Sequence, residues 1–99
     1  MKKYMFLNYG FEAPTPEVVE AWMSWFASVG DRMVDSGNPF SAGREVTRAG
    51  SQELVRGADS LTGYCIVNAE SLDDAERLLA GCPIIRSGRS YEAARMCRC

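Results

Sequence analysis

The chain has 99 residues, one domain's length, with eleven basic and thirteen acidic side chains, a net charge of −2, no histidine and 46% hydrophobic residues. That composition excludes global disorder, and scattered basic residues exclude a nucleic-acid footprint, which needs a dense basic face. No run approaches the roughly 20 apolar residues that cross a bilayer, and the apolar run in residues 1–7 is too short for a signal core, so no membrane is expected as a partner and a cytoplasmic location is expected.

In chain order, residues 3–9 predict a strand. Tyr4, Phe6 and Asn8 point one way and Met5, Leu7 and Tyr9 the other, so both faces are mostly apolar. Thr15 offers a helix N-cap, with Pro16 at the first helical position and Glu17 in the first turn. The spacing of Val18, Trp22, Trp25 or Phe26, Val29 and Met33 predicts a helix over 16–36, stopped by Gly37 and Pro39. A second strand is expected within 40–49, a turn at Gly50-Ser51, and a weakly extended piece at 52–56.

Residues 61–68 predict the clearest interior strand, with Leu61, Cys65 and Val67 on one face and Tyr64 and Ile66 on the other. Gly63 within it marks a close approach of backbone, aromatic ring or ligand. Ser71-Leu72-Asp73-Asp74 opens a second helix in the manner of a capping box, buried through Leu72, Ala75, Leu78 and Leu79 and closed by Gly81 and Pro83. A last strand is expected near 91–96.

The order strand, helix, strand, strand, helix, strand predicts an α+β fold. It is the ferredoxin-like βαββαβ subunit, an antiparallel sheet with two helices on one face. The other face should then alternate in polarity, yet the first and third strands carry large apolar residues on both sides. A two-fold homodimer, sheet against sheet, is the simplest closure.

Strong chemical motifs are missing. Without histidine, acid–base work falls to Asp, Glu, Tyr, Cys or Lys. Asp31, close to the buried stripe and the two tryptophans, is the candidate catalytic carboxylate, since desolvation beside apolar surface suits a general acid or base. The alternative is an exposed Asp paired with Arg32 or a strand Arg. Asn38, Tyr64 and Tyr9 are the candidate ligand contacts; a turn role for Asn38 and core packing for the tyrosines stand beside that reading. Trp22 and Trp25 fit packing or a stacking box. Arg86, Arg89, Arg95 and Arg98 read as a solvated, locally positive end. Cys65 reads as a small core residue, while Cys97 and Cys99 form a terminal Cys-Arg-Cys too poor in ligands for a metal site. No metal and no cofactor are expected.

The segments Lys3-Tyr4-Met5-Phe6-Leu7-Asn8-Tyr9, Trp22-Met23-Ser24-Trp25-Phe26, Gly37-Asn38-Pro39-Phe40, Leu61-Thr62-Gly63-Tyr64-Cys65-Ile66-Val67, Ser71-Leu72-Asp73-Asp74-Ala75 and Gly81-Cys82-Pro83, in this order and spacing, resemble the YCII-related or DGPF-domain family. The resemblance covers almost the whole chain and implies a dimeric α+β barrel. It also implies a pocket between helix and sheet, where some members pair a histidine with an aspartate. Relatives in that superfamily isomerise, dehalogenate or oxygenate small organic acids and aromatics. Here Ile84 stands where members often carry the histidine, and residues 91–99 match the family's closing strand poorly. Two readings therefore stay open. One is a small dimeric barrel protein with a pocket for a small organic molecule and weak or lost catalysis. The other is a non-catalytic structural or protein-interaction module.

Overall fold

A computed structural model describes residues 1–10, 15–55, 57, 60–82 and 87–93. The elements are β1 (Lys2–Tyr9), α1 (Pro16–Val29), a 3-10 turn (Gly30–Arg32), β2 (Met33–Asp35), β3 (Arg44–Thr47), β4 (Gly50–Glu53), β5 (Leu61–Ala69), α2 (Leu72–Ala80) and β6 (Ser87–Glu92). Four strands form one antiparallel sheet in the order β2-β5-β1-β6, and β3 and β4 form a separate hairpin. The protein is α+β.

Thr15 caps α1 by accepting a bond from the Val18 N–H at 3.2 Å. The helix ends earlier than the apolar spacing predicts. Gly30 adopts φ 60° and ψ −133°, a conformation that side chains disfavour, and its N–H donates to the Phe26 carbonyl. The chain leaves the helix axis there, and the predicted last turns become a 3-10 turn and an edge strand. Met33, expected on the helix stripe, instead faces Val67 across the β2–β5 pairing. This corrects the second strand as well: the sheet takes Met33–Asp35, and 40–49 contributes β3 to the hairpin. The turn lies at Arg48-Ala49, with Gly50 already opening β4. The last strand is Ser87–Glu92, earlier than expected.

The core follows from alternation. Tyr4 and Phe6 of β1 and Cys65, Val67 and Ala69 of β5 form one buried cluster with Trp25 and Val29 of α1 and Ala75 and Leu79 of α2. Both helices therefore cover the same sheet face. Tyr4, Phe6 and Val67 are almost fully enclosed, each burial contributing about 1.5–3 kcal/mol. Trp25 is tied to α2 as well, its indole N–H donating to the Leu78 carbonyl at 2.8 Å. Leu72, expected to be buried, is half exposed.

Ser71 caps α2 through the Asp74 N–H at 3.2 Å, and Asp74 reaches back to accept from the Glu70 N–H at 2.9 Å. The same carboxylate pairs with Arg32, whose Nε donates to the Asn68 carbonyl at 3.1 Å. Arg32 and Asp74 thus lock the turn after α1 to the end of β5 and the start of α2. The Glu70 N–H first, and then the Arg32 guanidinium, hold the Asp74 carboxyl below its ordinary range.

Candidate functional site

The sheet face away from the helices carries the side chains that alternate with the core. Register arranges them in rows. One row runs Asp35–Ile66–Met5–Tyr91 and the next Tyr64–Leu7–Arg89, with Tyr9 at the end. Leu7, Tyr9, Tyr64 and Ile66 are half-buried, whereas Met5 and Tyr91 are exposed. Among the described residues of one chain, no element lies over this apolar face.

At one corner the chain after β2 folds back on β5. The Gly37 N–H donates to Asp35 Oδ1 at 2.8 Å, an Asx turn, and the Tyr64 hydroxyl donates to Asp35 Oδ2 at 3.4 Å. Gly37 has φ 71° and presses on the Tyr64 main chain. Pro39 bridges to Gly63, the Phe40 N–H donates to the Thr62 carbonyl at 2.8 Å, and the Phe40 ring stacks on Tyr64 with centroids 5.9 Å apart. The close approach signalled by Gly63 is therefore one of backbone, with the Asn38 carbonyl and Pro39 Cα against it.

At the opposite edge the Arg89 guanidinium lies 5.0 Å from the Tyr9 ring centroid. Hydrogen bonding to Tyr91, followed by the phenols of Tyr9 and Tyr91, raises its pKa further. Asn8, behind Tyr9, keeps its side-chain oxygen buried with no hydrogen-bond partner among the described residues; glycines flank it across both neighbouring strands, Gly63 and Gly88.

Of the residues singled out by sequence, Tyr9, Asn38 and Tyr64 gather at the Leu61 end of the sheet. Asn38 is exposed, and its carbonyl is the part that meets Gly63. Asp31 lies elsewhere. It sits on the 3-10 turn beyond Met33, which pairs with Val67, whereas Asn38 precedes the Pro39–Gly63 bridge. The four residues between Gly63 and Val67 alone span about 13 Å. Asp31 is also exposed, so the burial beside the tryptophans that recommended it is absent from a single chain. Its neighbour Arg32 pairs with Asp74 instead. Trp22, Trp25 and Phe26 pack on one another with centroids 5.3–5.5 Å apart, a packing cluster rather than an open box. A groove of about 390 Å³ beside them, between α1 and α2, has its Ser28 hydroxyl already bonded to the Trp25 carbonyl.

Sequence reasoning missed Asp35, Phe40 and Arg89. Asp35-Ser36-Gly37 is a readable Asx-turn signature, and Arg89 and Tyr91, two apart, predict a strand face of their own.

Cys65 and Cys82 are buried, and burial pushes the Cys65 thiol up to about 12, with Cys82 and then Asp35 adding to it. Cys97 and Cys99, like Ile84, Arg86, Arg95 and Arg98, lie outside the described residues. Among the described residues no three His, Cys, Asp or Glu side chains cluster to hold a metal, and no helix is long and apolar enough to cross a membrane. No family model, no curated protein and no solved structure matches the chain.

Proposed function

We propose that this chain works as a two-fold homodimer, a dimeric α+β barrel of YCII-related type built from ferredoxin-like subunits, with a small organic molecule held at the Tyr9–Tyr64 end of the closed sheets. The observation that carries it is the open apolar face of Met5, Leu7, Ile66, Tyr9 and Tyr91, with Tyr64 at its corner against Phe40. The strand order, in which each helical crossover skips one strand, supports the subunit type.

Charge selects the arrangement. Asp35 stands on the β2 edge and Arg89 on the β6 edge of the same face. A two-fold axis perpendicular to the strands stacks like edges, Asp35 over Asp35 and Arg89 over Arg89. An axis parallel to the strands stacks unlike edges, so each Asp35 lies on the same side as the Arg89 of the other copy, one row or about 7 Å along the strands from it.

Tyr9 and Tyr64 supply hydroxyls and ring faces to the ligand end, with Asn38 at its rim. Asp31, at the far end and exposed, takes no part in it. That exposure and the lack of histidine favour binding over turnover, and they also support the second reading, a module that assembles without a ligand.

Sedimentation equilibrium at micromolar concentration tests the assembly. The parent should sediment as a dimer, and Ile66→Glu, on the apolar face, as a folded monomer with its far-UV circular dichroism retained. Asp35→Lys and Arg89→Glu should each weaken the dimer and together restore it. A parent that sediments as a monomer refutes the proposal. Thermal melts against a panel of small organic acids then separate the two readings. Stabilisation that is lost in Tyr64→Phe and Tyr9→Phe supports the ligand, and no stabilisation supports the bare module.

A further inference from the structure

The β3–β4 hairpin does not belong to the body of the chain. All eight of its strand residues are exposed, and its packing is chiefly with itself. A lone two-stranded ribbon is marginal in water. This one also carries apolar side chains with nothing against them: Val46 is 78% exposed and Val55 91%. Val46 pairs with Ser51 near the tip of the ribbon, and Val55 lies two residues past the end of β4, at its root.

The arm has a fixed root. Its incoming chain is held by the Phe40–Thr62 bond and the Pro39–Gly63 bridge. Its two legs are joined by the Leu54 N–H to the Gly43 carbonyl at 3.0 Å, and the chain after it returns through Ser60, whose carbonyl accepts from the Gly10 N–H at 3.0 Å. The root therefore sits at the Tyr9 end of the sheet, on the side of β2.

We propose that the hairpin of one copy lies across the Tyr9–Arg89 corner of a second copy and closes the ligand end of that copy's sheet face. This rests on the dimer proposed above. An axis parallel to the strands keeps the two Tyr9 ends level and carries the β2 side of one copy over the β6 side of the other. The arm root then faces Tyr9 and Arg89 of the second copy. Packed sheets lie about 10 Å apart, and four strand residues span about 13 Å, so the ribbon is long enough to cross. Val46 and Val55 would cover the Tyr9 ring and the Arg89 stem, and the site of each copy is incomplete without the other's arm.

A benzophenone amino acid in place of Val46 tests this. Irradiation should join two chains, with the adduct on the segment holding Tyr9 or on that holding Arg89 and Tyr91. Adducts confined to one chain, or lying on α1 or α2, overturn the proposal. The double change Val46→Glu with Val55→Glu should raise the dimer dissociation constant roughly tenfold or more while leaving far-UV circular dichroism intact; an unchanged constant also overturns it. A parent that sediments as a monomer removes both the arm and the assembly. A dimeric parent with adducts confined to single chains removes the arm alone.

Discussion

Gly37→Ala is the sharpest probe of how the site is built. A Cβ there would stand 1.7 Å from the Tyr64 carbonyl oxygen and 2.7 Å from its carbon, inside the 3.0 Å that real Cβ contacts respect. Both atoms are backbone of the central strand β5, so the 35–40 segment must move instead, by more than 1 Å. Movement breaks the Asx bond from Gly37 to Asp35 and the Phe40 bond to Thr62, about 1 kcal/mol each. Alanine at φ 71° adds about 1–2 kcal/mol. The total, about 3–4 kcal/mol, corresponds to a fall in melting temperature of about 15 °C or more for a domain this size. Gly30→Ala is the control: its φ is also positive, at a ψ of −133° outside the left-handed helical basin, but nothing lies within 4 Å of the added carbon, so it carries the backbone cost alone, about 1–3 kcal/mol. Urea melts of the two variants at one protein concentration read the difference. If Gly37→Ala costs no more than Gly30→Ala, the 35–40 segment is not pressed against Tyr64.

Two further predictions concern titration. The Asp74 carboxyl is held low, by the Glu70 N–H and then Arg32, so its contribution to stability is complete above the unfolded value of about 3.9 and is lost as pH falls through the folded value; urea midpoints followed from roughly pH 6 to pH 2 should fall less steeply in Asp74→Asn than in the parent. The Cys65 thiol, pushed up to about 12 by burial, contributes stability that is complete below the ordinary thiol range and fades as pH rises toward that value. Native protein at mildly alkaline pH should leave Cys65 unmodified by a thiol reagent until it is unfolded, and fast labelling of Cys65 mapped by mass spectrometry would contradict its burial.

The sequence carried the sheet well where one residue type dominated a face. Strand β5 is legible because an apolar, strand-forming run lies between polar turn residues, and α2 because Ser71 and Asp74 cap it where the capping pattern says they should. Strand β2 was not legible. Met33 continues the helical stripe of α1 in spacing, so periodicity runs through Gly30 without a break. The stop depends on one glycine conformation that an apolar count does not weigh. With Met33–Asp35 continuing the helical spacing, the strand formers of 40–49 are the next candidate for that place in the sheet. There Val46 and Thr47 have strand propensity, but they belong to a ribbon outside the sheet.

The same displacement explains the partial reading of the site. Tyr9 and Tyr64 could be placed because their strands were correctly phased, and cross-strand register then brings them to one end of the face. Asp31 could not, because its merit depended on lying on a longer helix beside Trp22 and Trp25; with the helix ended at Val29 it lies exposed on a turn, and Asp35 becomes the acid that meets a tyrosine. Under the proposed dimer, the partner's geometry enters the sequence only through charges at the edges of the open face and through the exposed ribbon. Asp35 and Arg89 sit on opposite edges of one face, and the hairpin root lies at one end of it. Both features constrain the same axis, so a dimer that satisfied the ion pairs but left the hairpins solvated would require a different origin for Val46 and Val55 than assembly.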